Sequence, residues 1–333
     1  MATQGSIHGA IAPFYRSRAV RRALTGAVPA YGMFILLLAY YVIIDPSLIS
    51  AYQVTNLVNL AVPLMIAALG QTVVILTGGV DLSLGAIIGI ANCVAATTFA
   101  KESGAANMAH SIVQTLAVGL AAGLLNGALV AWGRLPAIIV TLATSSIWVG
   151  LSLSILPSPG GTVPEGFTTA LTGNTGAIPN ALFLLLPVAV AVWVVTQRTR
   201  SGRAIYAVGD GEAAAYMTGV TVLRAKVLAY ALAGVLAAVA GLYLAALTST
   251  GDPLVNQAYT LNSVAAVVIG GTSLMGGVGG IGGSIAGAGI LAIVVSLLPF
   301  ANIPSFWQTI FSGAILIAAL ALRSAISLLV RRV

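Results

Sequence analysis

Residues 198–226 read RTRSGRAIYAVGDGEAAAYMTGVTVLRAK, the only long piece of the chain that is both charged and flanked on each side by extended apolar sequence. The stretch holds five of the fourteen basic residues (Arg198, Arg200, Arg203, Arg224 and Lys226) and two of the seven acids, Asp210 and Glu212. Around it the chain is almost continuous Leu, Ala, Val, Ile and Gly. Over all 333 residues, 59% are hydrophobic and only 6% charged, with a mean hydropathy of +1.05. A soluble domain carries roughly 25% charged residues, so this chain lacks the charge to cover a water-facing surface. It reads as an all-α integral membrane protein, embedded in a lipid bilayer, with residues 198–226 as a platform between two membrane halves. The net charge of +7 then reports orientation in the membrane rather than nucleic-acid binding.

A helix needs about 20 apolar residues to cross a bilayer. That ruler predicts ten spans, at 28–44, 53–76, 82–100, 110–131, 137–156, 181–197, 226–248, 258–272, 282–299 and 306–323. With both termini cytoplasmic, thirteen of the fourteen basic residues fall on the inner side and only Lys101 falls outside, whereas eight spans misplace several of them. The expected organisation is a tail at 1–27, one membrane domain at 28–325 that contains the platform, and a tail at 326–333. Arg16, Arg18, Arg21 and Arg22 precede apolar sequence as in a signal peptide. The run at 28–44 is too long for one and ends at Asp45-Pro46 without a cleavage site, so a retained first helix is expected. The longest outer connection, 157–180, is rich in Pro, Gly, Thr and Asn and carries no assigned structure.

Catalytic chemistry is missing from the residue list. Neither lysine follows G-x-x-x-x-G, which excludes a P-loop. Cys93 is the one cysteine, and His8 and His110 sit in the tail and at an outer helix end. No nucleophile–base pair, no metal-ligand cluster and no cofactor site can be assembled from them.

Features of a pathway are present instead. Asp81, the one acid near membrane depth, follows Gly78-Gly79, which breaks the preceding helix; it can cap the next helix or take part in a gate or path. Thr141, Thr144, Ser145 and Trp148 fall on one helix face at i, i+3, i+4 and i+7. Asn92, Asn126 and Asn262 are single amides in apolar runs. Such groups suit a neutral polyhydroxylated solute, and interhelical hydrogen bonding explains them equally well. Gly270-Gly271 is a second glycine break. In the platform, residues 210–219 (DGEAAAYMTG) predict a short helix with Asp210 as N-cap, Gly219 as stop, and Ala213, Met217 and Val220 as a small apolar face. Gly119, Gly123 and Gly127, and likewise Gly279, Gly283 and Gly287, are spaced by four and predict close helix packing.

Four of these stretches together resemble the permease subunits of bacterial sugar-type ABC importers: 76–85 (LTGGVDLSLG), 134–151 (RLPAIIVTLATSSIWVGL), 202–220 (GRAIYAVGDGEAAAYMTGV) and 265–277 (AAVVIGGTSLMGG). The resemblance covers roughly residues 30–325. It implies a type II ABC-importer permease-like bundle in the bacterial inner membrane, pairing with a second copy or a paralogue. A separate cytoplasmic ABC ATPase would dock on the short helix, around Asp210, Glu212, Ala213, Ala214, Met217 and Gly219, and a periplasmic solute-binding protein would deliver a sugar. The family usually reads Glu-Ala-Ala-Arg where this chain has Ala213-Ala214-Ala215-Tyr216, and Thr260 and Asn262 stand at positions that are often acidic. Two other readings use the same features: a permease for branched-chain amino acids or nucleosides on a related scaffold, and a secondary carrier working alone.

Overall fold

The computed structural model describes residues 27–99, 105–254 and 258–297, together with Trp307, Ile310, Gly313, Ala314 and Ile317. Among them the long apolar runs become helices: α1 (Val28–Ile44), α2 (Ala51–Leu76), α3 (Leu84–Phe99), α4 (Ala105–Ala131) and α5 (Ala137–Ile155). After them come α6 (Glu165–Thr172), α7 (Ala181–Arg198), α8 (Arg200–Asp210), α9 (Glu212–Met217), α10 (Val222–Thr248), α11 (Ala258–Ile269) and α12 (Ile281–Leu297). Five of these, α2, α4, α5, α7 and α10, are long and apolar enough to cross a membrane; α1, α3, α11 and α12 are shorter apolar helices. The expected spans at 28–44 through 282–299 each coincide with an apolar helix. The expected span at 306–323 and both tails fall outside the described residues or nearly so.

Two helices form the centre. α10 packs against α2, α3 and α4, and α2 packs in turn against α11, α12 and α7. Tyr230 and Tyr243 of α10 are fully buried. The outer helices carry their large apolar side chains outward, such as Ile35, Leu36, Ile139, Leu142, Leu186 and Val190. That is the arrangement a hydrocarbon surround requires.

Glycine sets how closely the central helices approach. A Cβ at Gly119, Gly123 or Gly127 of α4 would collide with the backbone of α10 near Gly234, Tyr230 and Val227. Gly283 and Gly287 of α12 meet Gly270 and Ala266 in the same way. Gly279 does not belong to that face. It precedes α12, with φ 137, and packs on Thr272. The four-residue spacing crosses a helix start that spacing alone does not reveal.

The connection at 157–180, left unassigned on sequence, is ordered. It contains α6 and a two-residue hairpin in which β1 (Asn174–Thr175) pairs antiparallel with β2 (Ile178–Pro179). Asn59 Nδ2 donates to the Thr172 carbonyl (2.8 Å) and Tyr243 Oη donates to Asn59 Oδ1 (2.7 Å), tying α6 to α2 and α10. The Phe99 and Phe167 rings pack in a tilted arrangement with centroids 4.9 Å apart. Turn residues hid an element held by contacts with helices far away in the chain.

Candidate functional site

Helix α2 stops at Leu76 because the chain reverses at Gly78, whose φ of +82 favours glycine. The segment that follows turns back into the bundle. With its amide oriented to satisfy both atoms, buried Gln71 donates to the Asp81 carbonyl (3.1 Å) and accepts the Asp81 N–H (3.2 Å). Gln71 lies five residues before the helix end, so Asp81 re-enters by roughly 7 Å at 1.5 Å per residue.

The N-terminus of α3 is then capped from several directions. Asp81 Oδ1 accepts the Ser83 N–H (2.8 Å) and hydroxyl (2.6 Å), and Asn126 Nδ2 of α4 donates to Ser83 Oγ (2.7 Å). Thr141 Oγ1 of α5 accepts the Leu82 N–H (3.0 Å), and Thr260 Oγ1 of α11 accepts the Gly85 N–H (3.0 Å). Three donors that a helix start leaves open are thus satisfied by side chains of the loop and two other helices. Asp81 is fully buried, and its second oxygen, Oδ2, has no hydrogen-bond partner among the described residues.

Beside this loop, between α3, α5 and α11, lies an open cleft of about 560 Å³. Leu82, Ala86, Ser145, Ser146, Gly150 and Thr260 contribute to its lining, and none of its lining residues is charged. Of the residues expected to share a path-facing helix face, Ser145 alone reaches the cleft. Thr141, Thr144 and Trp148 are buried against the protein, with Thr144 Oγ1 donating to the Thr141 carbonyl (3.3 Å). Asn92 Oδ1 accepts the Asp252 N–H (2.7 Å) and its Nδ2 faces the Gly241 carbonyl, so Asn92 ties α3 to the end of α10. Asn262 faces a separate small cavity between α2, α11 and α12. The structure therefore brings Asp81, Asn126 and Thr141 together and leaves Asn92 and Asn262 elsewhere. Gln71 and Ser146 join the site without having been named on sequence, and Thr260, noted there as standing at an often acidic position, joins it as well.

The charged stretch at 198–226 is two helices rather than one. Thr199 caps α8 by accepting the Gly202 N–H (3.1 Å). Asp210, expected as N-cap of the short helix, is instead the last residue of α8; Gly211 precedes α9. The stop at Gly219 has φ +82, with the Gly219 N–H on the Tyr216 carbonyl (3.0 Å) and the Val220 N–H on the Ala215 carbonyl (3.0 Å), a Schellman ending. Ala215 is the buried face of α9, while Ala213 and Ala214 are exposed and Tyr216 and Met217 stand 73% and 84% exposed. Glu212 is already engaged, accepting from Lys226 Nζ at 2.6 Å. Between α9 and residues 130–136 runs a groove of about 1180 Å³ lined by Arg134, Leu135, Tyr216, Met217 and Val220 among others. The turn at Gly78 meets the connection after α11 behind this platform: the Gly277 N–H donates to the Leu76 carbonyl (3.1 Å), and a Cβ at Gly276 would collide with the backbone of both Gly78 and Gly209. Gly79 packs under the Tyr230 hydroxyl, and Gly270 against Gly283. Gly271, with φ +90, begins the turn after α11.

Comparison with known proteins adds a family. A family model described as "Branched-chain amino acid transport system / permease component" matches residues 53–320. The ribose import permease protein RbsC of Escherichia coli (strain K12) is 33% identical over 292 residues, covering 86% of this chain and 89% of that one. RbsC of Bacillus subtilis (strain 168) is 34% identical over 297 residues, covering 88% and 91%. The autoinducer 2 import system permease protein LsrC of Enterobacter sp. (strain 638) is 34% identical over 264 residues, covering 78% and 75%. No solved structure matches.

Proposed function

From the premise that this chain belongs to the family of ABC-importer permease components that includes the ribose and autoinducer 2 permeases, we propose that it forms one half of the path by which a monosaccharide or related polyol crosses the inner membrane. The other half is a second copy or a paralogue. The observation that carries the solute class is the cleft, whose lining offers serine and threonine hydroxyls and apolar surface with no charge. Hydroxyls can exchange hydrogen bonds with a polyol, and an uncharged lining leaves an ionic solute without a partner.

The chain holds no P-loop, so energy comes from a separate ATPase. Its dock is α9 and the adjoining groove, where Tyr216 and Met217 offer exposed apolar side chains on a helix pinned by the Schellman ending and the Glu212–Lys226 pair. A solute-binding protein docks at the opposite end of the bundle, around α6 and the hairpin. On this reading both termini are cytoplasmic. Asp81 holds the loop that edges the path, and Leu82 and Ser145 face the solute.

A second reading, transport of branched-chain amino acids, is favoured by the description attached to the family. A zwitterion needs charged groups or free helix-end amides, and the Leu82, Ser83 and Gly85 N–H groups beside the cleft are already bonded. The test is uptake of labelled D-ribose by cells carrying the chain, its ATPase and its solute-binding protein, with a panel of competitors. Competition by sugars and polyols but not by leucine or nucleosides supports the reading; competition by leucine alone overturns it. Ser145→Trp, which fills the cleft, is expected to stop uptake while the ATPase still co-purifies.

A further inference from the structure

We propose that the end of α8 is the joint through which movement of the platform reaches the 77–83 loop and the cleft, with Gly209 and Tyr206 as its positioning residues. This rests on the permease reading above. Three pieces of main chain meet at this point with no side chain between them. A Cβ on Gly209 would collide with the Leu76 carbonyl, the last residue of α2, and with the amide nitrogen of Gly277 in the connection between α11 and α12. Gly277 N–H donates to that same Leu76 carbonyl at 3.1 Å, and Gly276 packs against both Gly78 and Gly209.

One turn earlier, Tyr206 Oη donates to the Gly279 carbonyl (2.9 Å) and accepts from Gln197 Nε2 of α7 (2.8 Å). A tyrosine phenol is a donor at neutral pH, and burial pushes that of Tyr206 higher still, with the Gln197 bond opposing the shift without reversing it.

Main-chain contact transmits displacement differently from side-chain contact. A side chain can change rotamer and absorb a small shift, whereas touching backbones must move together or separate. The connection on the platform side is equally short. Gly211 alone separates α8 from α9, and its N–H donates to the Ala207 carbonyl (3.2 Å). On the other side, six residues lead from Leu76 to Leu82 at the cleft, and Asp81 and Leu82 are held by Gln71 and Thr141. A shift of α8 therefore acts directly on the end of α2 from which the loop departs.

The test reads the loop directly, with no need to know the solute. Leu82→Cys is introduced and its maleimide labelling rate measured in the ATPase-bound complex, nucleotide-free and with ATP plus orthovanadate. Native Cys93 is fully buried and gives a low background. Nucleotide is expected to change the rate by at least about fivefold, the low end of ordinary coupling between sites. Gly209→Ala and Tyr206→Phe are expected to abolish that change while the ATPase stays bound and active. Tyr206→Phe keeps the ring and adds no atom, so it carries the test if Gly209→Ala fails to fold. An unchanged nucleotide response in Tyr206→Phe and any folded Gly209→Ala overturns the joint, as does an ATPase-bound parent chain whose labelling ignores nucleotide. A parent chain that binds no ATPase overturns the permease reading itself, a failure visible before any labelling is done.

Discussion

Asp81 is a carboxyl with no solvent exposure whose Oδ1 receives two bonds from Ser83, and Asn126 completes the arrangement by donating to the Ser83 hydroxyl. Removing that donor takes one bond from a buried network while Ser83 keeps its bond to Asp81, which costs about 0.5–1.5 kcal/mol. Asn126→Ala is therefore expected to lower the thermal denaturation midpoint in detergent, and an unchanged midpoint would show that the network contributes nothing. The Glu212–Lys226 pair is a milder case, because Glu212 is 59% exposed. Glu212→Gln should cost no more than about 1 kcal/mol, whereas Glu212→Arg sets like charges together and is expected to reduce ATPase recovery and uptake. Asp81 and Asn126 could be singled out from the sequence because each is a lone polar group in apolar surroundings. Gln71 could not, since its partner is the main chain of a residue ten positions on, and no side-chain pattern announces a loop folding back.

Helices α4 and α10 touch along Gly119, Gly123 and Gly127, where every added Cβ meets backbone. Gly123→Leu is expected to destabilise the bundle by at least the roughly 1–3 kcal/mol of overpacking. Gly32→Leu on α1, where nothing lies within 4 Å, should leave the melting midpoint unchanged. Equal midpoints for the two variants in detergent would remove close glycine packing from the account. The spacing of α4 was legible because one helix runs through all three residues. Gly279, Gly283 and Gly287 share that spacing, yet the first belongs to a turn, where a period of four has no geometric meaning. The platform was misread for a related reason. Asp210 is a good N-cap residue by type, but Gly211, with extended backbone at φ 175, makes the boundary, and the preceding residues already form a helix.

At the level of the molecule, composition was decisive for class, since 6% charge leaves a bilayer as the surround. Helix positions followed from apolar length. What length and pattern cannot supply is which polar groups face each other across helices. Thr141, Thr144 and Trp148 of the predicted face are turned inward, and its Ser145 alone joins Ser146 and Thr260, from a helix far along the chain, at the cleft. The order in 157–180 was hidden because its short hairpin and α6 are held in place by contacts with α2 and α3, which no local pattern announces. The central claim is that this chain is a pathway that borrows its energy at α9. The most direct measurement is a mild-detergent pull-down of the tagged chain from its native membranes, with Gly219→Pro alongside. Proline removes the Gly219 N–H and forbids its positive φ, breaking the ending that fixes α9. The account predicts that an ABC ATPase co-purifies with the parent chain and is lost from the variant. A chain that comes out alone and still moves solute in liposomes would contradict it.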